Sequence, residues 1–157
     1  MEIIAAAERH IPAIIELWKE FMDFHKDFDS RFPMRKNAHL SFDNHLRELM
    51  TSENNVVYVA LDRNRVVGFA TCTVNRYAPI WERDKYGSID SLAVESSYRG
   101  RGIGEQMLTK IYEWFDTQGI DRIEVALAVK NKVAQSFWRK HGFRENILHL
   151  YLDRHVN

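Results

Sequence analysis

The chain has 157 residues, 45% of them hydrophobic, which suits one core, so a single domain over residues 1–157 is expected. Its 22 basic and 22 acidic side chains cancel, which gives no sign of a nucleic-acid binder held by phosphate neutralisation. The lone Cys72 allows neither an intrachain disulfide nor a cysteine-rich metal centre, and neither the opening MEIIAAAERHIPAII nor any later run has the apolar length of a signal peptide or a membrane span, so a soluble protein of the reducing cytoplasm is expected.

Glu2 to Ala6 reads as a short strand. From His10 to about Asp27, Ile11, Ile14, Ile15, Trp18 and Phe21 recur at helical spacing, which predicts an amphipathic helix with Pro12 tolerated in its first turn. Residues 28 to 37 show no period, and Leu40, Phe42, Leu46, Leu49 and Met50 then suggest a weaker second helix. Val56 to Leu61 and Val66 to Val74 are rich in β-branched residues and flank Asp62-Arg63-Asn64-Arg65, which predicts a hairpin with Cys72 as a small buried residue. A polar, aromatic loop from Arg76 to Lys85 leads to a strand from Tyr86 to Val94, then to RGRGIG, residues 99–104, and a helix from about Gly102 to Gln118 that Gly119 ends.

Next, Ile123, Val125, Leu127 and Val129 alternate with Arg122, Glu124, Ala126 and Ala128, the clearest strand pattern in the chain. Asn131 can cap a short helix to about His141, Gly142 closes it, and Phe143 to Leu152 predicts a final strand pair or hairpin. The result is an α/β chain whose sheet mixes antiparallel hairpins with one β-loop-α-β crossover. Trp18, Phe21, Phe24, Trp114 and Phe115 fall at helical intervals and are expected in the core. His25, His39 and His45, even with Asp29, fit no metal-ligand spacing, so no metal is expected.

RGRGIG asks why three glycines and two arginines stand between a strand and a helix. A helix start offers unpaired N–H groups and partial positive charge, glycines let a phosphate approach without an intervening Cβ, and Arg99 and Arg101 add charge. A nucleotide P-loop would need Lys-Ser or Lys-Thr after the glycines, and none is there. A dinucleotide fingerprint begun at Gly100 meets Glu105, and one begun at Gly102 meets Met107, where glycine or alanine is required. On the loop alone, a flexible turn with two solvated arginines remains open.

The surroundings carry a resemblance. Arg99-x-x-Gly102-x-Gly104 after the strand end Leu92-Ala93-Val94, with Asn131, Ala134, Phe137 and Trp138 followed by Gly142-Phe143, resembles the GCN5-related N-acetyltransferase (GNAT) family. The resemblance is firm from about Tyr86 to Phe143. It implies a mixed, largely antiparallel sheet with flanking helices, in which two parallel strands, Ser88 to Val94 and Ile123 to Val129, splay to admit acetyl-CoA.

It also implies that the amides of Arg99, Gly100, Arg101, Gly102, Ile103 and Gly104 bind the pyrophosphate. Leu92 and Val94, flanking Ala93, would bind the pantetheine through main chain, Asn131 would contact its arm, and Phe137 and Trp138 would pack beside it. The acceptor amine would attack the thioester directly, with Asp90 as candidate base and Glu82 and Glu95 as weaker substitutes. Trp138 stands where many relatives have an acidic tyrosine, so solvent or Tyr98 would have to serve as proton donor. The implied partners are acetyl-CoA and an amine, with no nucleic acid or membrane and a homodimer left open. The alternative is a CoA-binding sensor or interaction module without turnover.

Overall fold

The computed structural model describes residues 1–155. Contacts divide the chain into two compact units, Met1–Ala126 and Leu127–Asn157. The first holds β1 (Glu2–Ala5), α1 (Ile11–His25), α2 (Ala38–Thr51), β2 (Asn55–Asp62), β3 (Arg65–Arg76), β4 (Lys85–Val94), α3 (Ile103–Thr117) and β5 (Ile123–Glu124). The strands form one sheet in the order β1-β2-β3-β4-β5, antiparallel except for the parallel pair β4–β5.

Local chemistry sets the hairpin register. Arg63 and Asn64 have φ of 48° and 68° between the paired Asp62 and Arg65, the two left-handed residues that a type I′ loop requires. Alternation along β3 then sends neighbours to opposite layers. A Cβ built on Gly68 would lie 3.3 Å from Met107 of α3, whereas Phe69, fully buried, joins the cluster made by Ile11, Ile14 and Trp18 of α1 and Leu46 of α2. Helix α3 therefore covers one face of the sheet and α1 and α2 the other.

Close packing under α3 demands Gly87, since a Cβ there would sit 2.3 Å from Cε1 of the buried Phe115. On the α1 side, Trp18 stacks on Phe42 at 4.5 Å. A fully buried side chain such as Phe115 contributes about 1.5–3 kcal/mol. Phe24 departs from the sequence expectation. It is 38% exposed on the last turn of α1, beyond the reach of the sheet.

In the second unit, α4 (Lys132–Lys140) begins at Asn131, whose Oδ1 accepts the Ala134 N–H at 3.1 Å. It ends in a Schellman pair, Phe143 N–H to Trp138 O at 3.0 Å and Gly142 N–H to Arg139 O at 3.0 Å.

Two expectations are corrected. The strand foreseen over 123–129 is confined to Ile123–Glu124, the two residues that pair with Gly87 and Ser88; the alternating pattern continues, but the ladder does not. The strand pair foreseen over Phe143 to Leu152 has no strand among the described residues, and Ile147, Leu148, Leu150, Tyr151 and Leu152 are 72–82% exposed. Alternation supplies two faces but not a partner, and a strand needs the partner's hydrogen bonds.

Candidate active site

Pairing changes on both sides of β4. Toward β3, Ser91 pairs with Thr71 and Ile89 with Cys72, so Asp90 is the extra residue of a β-bulge. The bulge switches faces: Gly87 lies under Phe115 of α3, while Ala93, also odd-numbered, belongs to the α1–α2 cluster. Toward β5, the ladder stops at Ser88 with Glu124, leaving 89–94 without a strand partner on that side among the described residues.

Beyond β4, Gly102 is the N-cap of α3 with φ of 76°, and among the described residues no side chain makes a cap hydrogen bond there. Gly102 O takes the Gln106 N–H at 3.1 Å, so the amides of the first turn lie ahead of any helical acceptor. A Cβ on Gly102 would meet nothing within 4 Å, so its backbone conformation, rather than space, selects glycine. The helix that follows is 15 residues long, and its dipole adds to the attraction for an anion. Arg99 donates from Nε to Val94 O at 3.3 Å, with its Nη2 3.8 Å from Glu20, and lies over the Phe24 ring. Arg101 donates to Ser97 O at 3.0 Å and lies over the Tyr98 ring. Both guanidinium groups are thus held against the segment that leads into the loop, Arg99 also reaching α1.

Asp90 is exposed on the face opposite α3, and both its oxygens are engaged. Thr73 Oγ1 donates to Oδ2 at 2.7 Å, and Ser88 Oγ donates to Oδ1 at 2.8 Å. The cross-strand register Asn55, Thr73, Ser88, Glu124 makes one polar row across β2, β3, β4 and β5, next to the apolar part of the same face. Tyr77 and Tyr86 stack at 4.3 Å beside this row, and Glu124 accepts from Tyr77 and from Arg122. Burial draws the Glu124 carboxyl upward, but these two donors outweigh it and hold the group below its ordinary value. Tyr77 shifts upward through burial and through Glu124.

Other candidates are committed elsewhere. Glu95 takes two bonds from Arg65, both at 2.8 Å, and one from Ser97. The Tyr98 hydroxyl donates to Asp62 at 2.9 Å, so its proton is aimed away from β4. Glu82 lies exposed in the loop between β3 and β4. Cys72 is fully buried, and burial pushes its thiol upward, which leaves it inert as a nucleophile. In the second unit, Asn131 is buried with its carbonyl oxygen capping α4, and Trp138 packs edge-on against Phe137 and Phe143, at 5.1 and 4.9 Å. The structure therefore places Asp90, the β4 end and the glycine loop in succession along β4 and the entry to α3 within residues 1–126, and gives Asn131, Phe137 and Trp138 local packing and capping roles. Among the described residues, no group of three or more His, Cys, Asp or Glu is placed to hold a metal ion, and no helix is long and apolar enough to cross a membrane.

Asn55, Thr73, Asn75, Tyr77 and Tyr86 were not singled out by the sequence. Their signal was there: Thr73 and Asn75 end the apolar run of β3 on alternate positions, as Asn55 opens that of β2.

A mixed sheet with a bulged fourth strand running through a glycine loop into α3 sets the class of domain. The chain belongs to the acetyltransferase (GNAT) family, whose model matches residues 14–143. It is 31% identical over 97 residues to an uncharacterized N-acetyltransferase of Methanocaldococcus jannaschii, covering 62% of this chain and 42% of that protein. It is 30% identical over 101 residues to an uncharacterized N-acetyltransferase of Archaeoglobus fulgidus, covering 64% of this chain and 68% of that one. The match thus spans less than half of the first relative. Among solved structures, the BH1408 protein of Bacillus halodurans superposes with a TM-score of 0.87 at 22% identity, covering 98% and 100% of the two chains. An aminoglycoside N-acetyltransferase in complex with CoA superposes at 0.77 and 17%, covering 99% and 95%. These likenesses establish the fold.

Proposed function

We propose that this chain transfers the acetyl group of acetyl-CoA directly to a primary amine. The observation that carries this reading is the junction of β4 and α3: among the described residues, β4 has no strand partner on its β5 side past Ser88 and the helix start that follows within residues 99–104 has no side-chain cap. The first-turn amides suit the CoA diphosphate, with Arg99 and Arg101 adding positive charge to the same loop, and the open edge of β4 at Leu92 and Val94 suits the amide-rich pantetheine.

Acceptor chemistry falls to Asp90. An alkylamine is protonated at neutral pH, with a pKa of about 10, so a proton must leave before attack. The neutral nitrogen then attacks the thioester carbonyl carbon, the carbon–sulfur bond breaks, and CoA departs as a thiolate, itself a fair leaving group with a pKa of about 8.5. Solvent supplies the thiolate proton, because the Tyr98 hydroxyl is turned to Asp62. Asp90 accepts the amine's proton, directly or through water.

The acceptor is a small amine or a peptide N-terminus. One relative, 27% identical over 117 residues, is the L-2,4-diaminobutyric acid acetyltransferase of Shouchella clausii, which puts small diamines on the panel to be tried. Calorimetric titration with acetyl-CoA, joined to a thiol-release assay over L-2,4-diaminobutyrate, spermidine, sisomicin and a peptide with a free N-terminus, tests the proposal. Binding with amine-dependent CoA release is expected. Binding without release across the panel favours a CoA sensor, the reading that Trp138, packed between aromatic rings instead of presenting a phenol, would support.

A further inference from the structure

The candidate base does not stand alone on the sheet. Behind each of its oxygens is a hydroxyl, and behind each hydroxyl is a side-chain amide. Asn55 Nδ2 donates to Thr73 Oγ1 at 2.8 Å, and Asn75 Nδ2 donates to Ser88 Oγ at 2.9 Å.

The proton directions in these two chains follow from donor and acceptor rules. An ionised carboxylate only accepts, so Thr73 and Ser88 must each point their single hydrogen at Asp90, at 2.7 and 2.8 Å. A hydroxyl that has spent its hydrogen can only accept from its other neighbour, and each asparagine must then turn its NH₂ toward it. Asn75 fixes this independently: the same Nδ2 also donates to the main-chain oxygen of Thr73 at 3.3 Å, and a carbonyl oxygen accepts only. Both amide-to-hydroxyl-to-carboxylate chains therefore run one way, converging on Asp90 from β2, β3 and β4.

The arrangement has a chemical consequence. Asp90 is the extra residue of a bulge and is exposed, so nothing in the strand ladder fixes its side chain. Two charge-assisted hydrogen bonds, each polarised by an amide behind it, hold the carboxylate in one rotamer, with its remaining lone pairs toward the open face. We propose that Thr73 and Ser88, backed by Asn55 and Asn75, are positioning residues that orient Asp90 toward the incoming amine. This rests on the acetyltransferase reading above and on Asp90 as its base.

A double-mutant cycle on the full chain tests it, read as kcat and KM with the fastest amine of the four-member panel. Thr73→Val keeps the shape and removes the donor; kcat is expected to fall about tenfold with the KM for acetyl-CoA unchanged, and Thr73→Ser to restore it to within about threefold. In an Asp90→Asn background, the same Thr73→Val change is expected to alter kcat by less than about twofold, because there is no carboxylate left to orient. Ser88→Ala repeats the cycle on the other oxygen and serves if Thr73→Val fails to fold. An equal fall in both backgrounds, or no rescue by serine, overturns the positioning role while leaving the acetyltransferase reading intact. Full activity of Asp90→Asn removes the base assignment and this inference with it, and release with none of the four amines overturns both readings.

Discussion

At the scale of single residues, two positions separate binding from chemistry. Asp90→Asn removes the proton acceptor but leaves the loop alone, so kcat should fall about 100-fold or more while acetyl-CoA binds as before. A rate within twofold of the parent chain would remove Asp90 from the mechanism. Gly102→Val forces a β-branched residue to φ of 76°, at a strain of about 1–2 kcal/mol, and disturbs the first-turn amides. Calorimetry should show acetyl-CoA affinity reduced at least tenfold, and unchanged affinity would refute the loop assignment. The glycine loop stands out in the sequence as three glycines between a strand pattern and a helix pattern, while its proposed role and that of Asp90 come from the resemblance to the family. Asn55, Thr73 and Asn75 show in the sequence only as polar ends of apolar runs, since which of them meet comes from a cross-strand register that pairs residues far apart in the chain.

Elements carry their own tests. Gly87→Ala would drive a methyl group into Phe115, at a Cβ distance of 2.3 Å, and should destabilise the chain by about 1–3 kcal/mol in urea denaturation. The entry to α1 is sensitive to pH. Burial, with Arg9 adding to it, holds His10 below its ordinary value, and its Nδ1 accepts the Ala7 N–H at 2.9 Å only while unprotonated. The unfolded chain therefore binds this proton more readily than the folded one, so stability declines as pH falls below about 6.5. His10→Gln should flatten the pH dependence of the melting temperature between about pH 7 and 5, and an unchanged slope would show that His10 does not supply it. The helices and the β2–β3 hairpin were legible because their periodicity and turn residues are local. β5 was overextended, and the segment after Gly142 was misread, because ladder partners are not local. In the first case, the strand that could continue the pairing bulges at Asp90 and runs on toward the loop.

For the whole molecule, the function rests on a division of the sheet. On the face of α1 and α2, one end is apolar, and the other carries the polar row from Asn55 to Glu124, with Asp90 hydrogen-bonded to its two middle members. The opposite face is closed by α3, whose start is the proposed anion site. A ligand that binds only the folded chain stabilises it: acetyl-CoA at about 100 times its dissociation constant adds about 2.7 kcal/mol, or roughly 5–10 °C in Tm for a chain of this size. Desulfo-CoA should do the same, as the thioester is not what the loop holds, and ATP should stabilise less, because it lacks the pantetheine that would pair with the edge of β4. Charge balance was no guide to this site, because an anion site built from main-chain amides leaves no mark on net charge.

The most direct measurement is a crystal structure of the chain with acetyl-CoA. The account predicts the diphosphate oxygens within about 3.2 Å of main-chain nitrogens in residues 100–104, with the thioester beside β4 near Asp90. A diphosphate bound away from the start of α3 would contradict it.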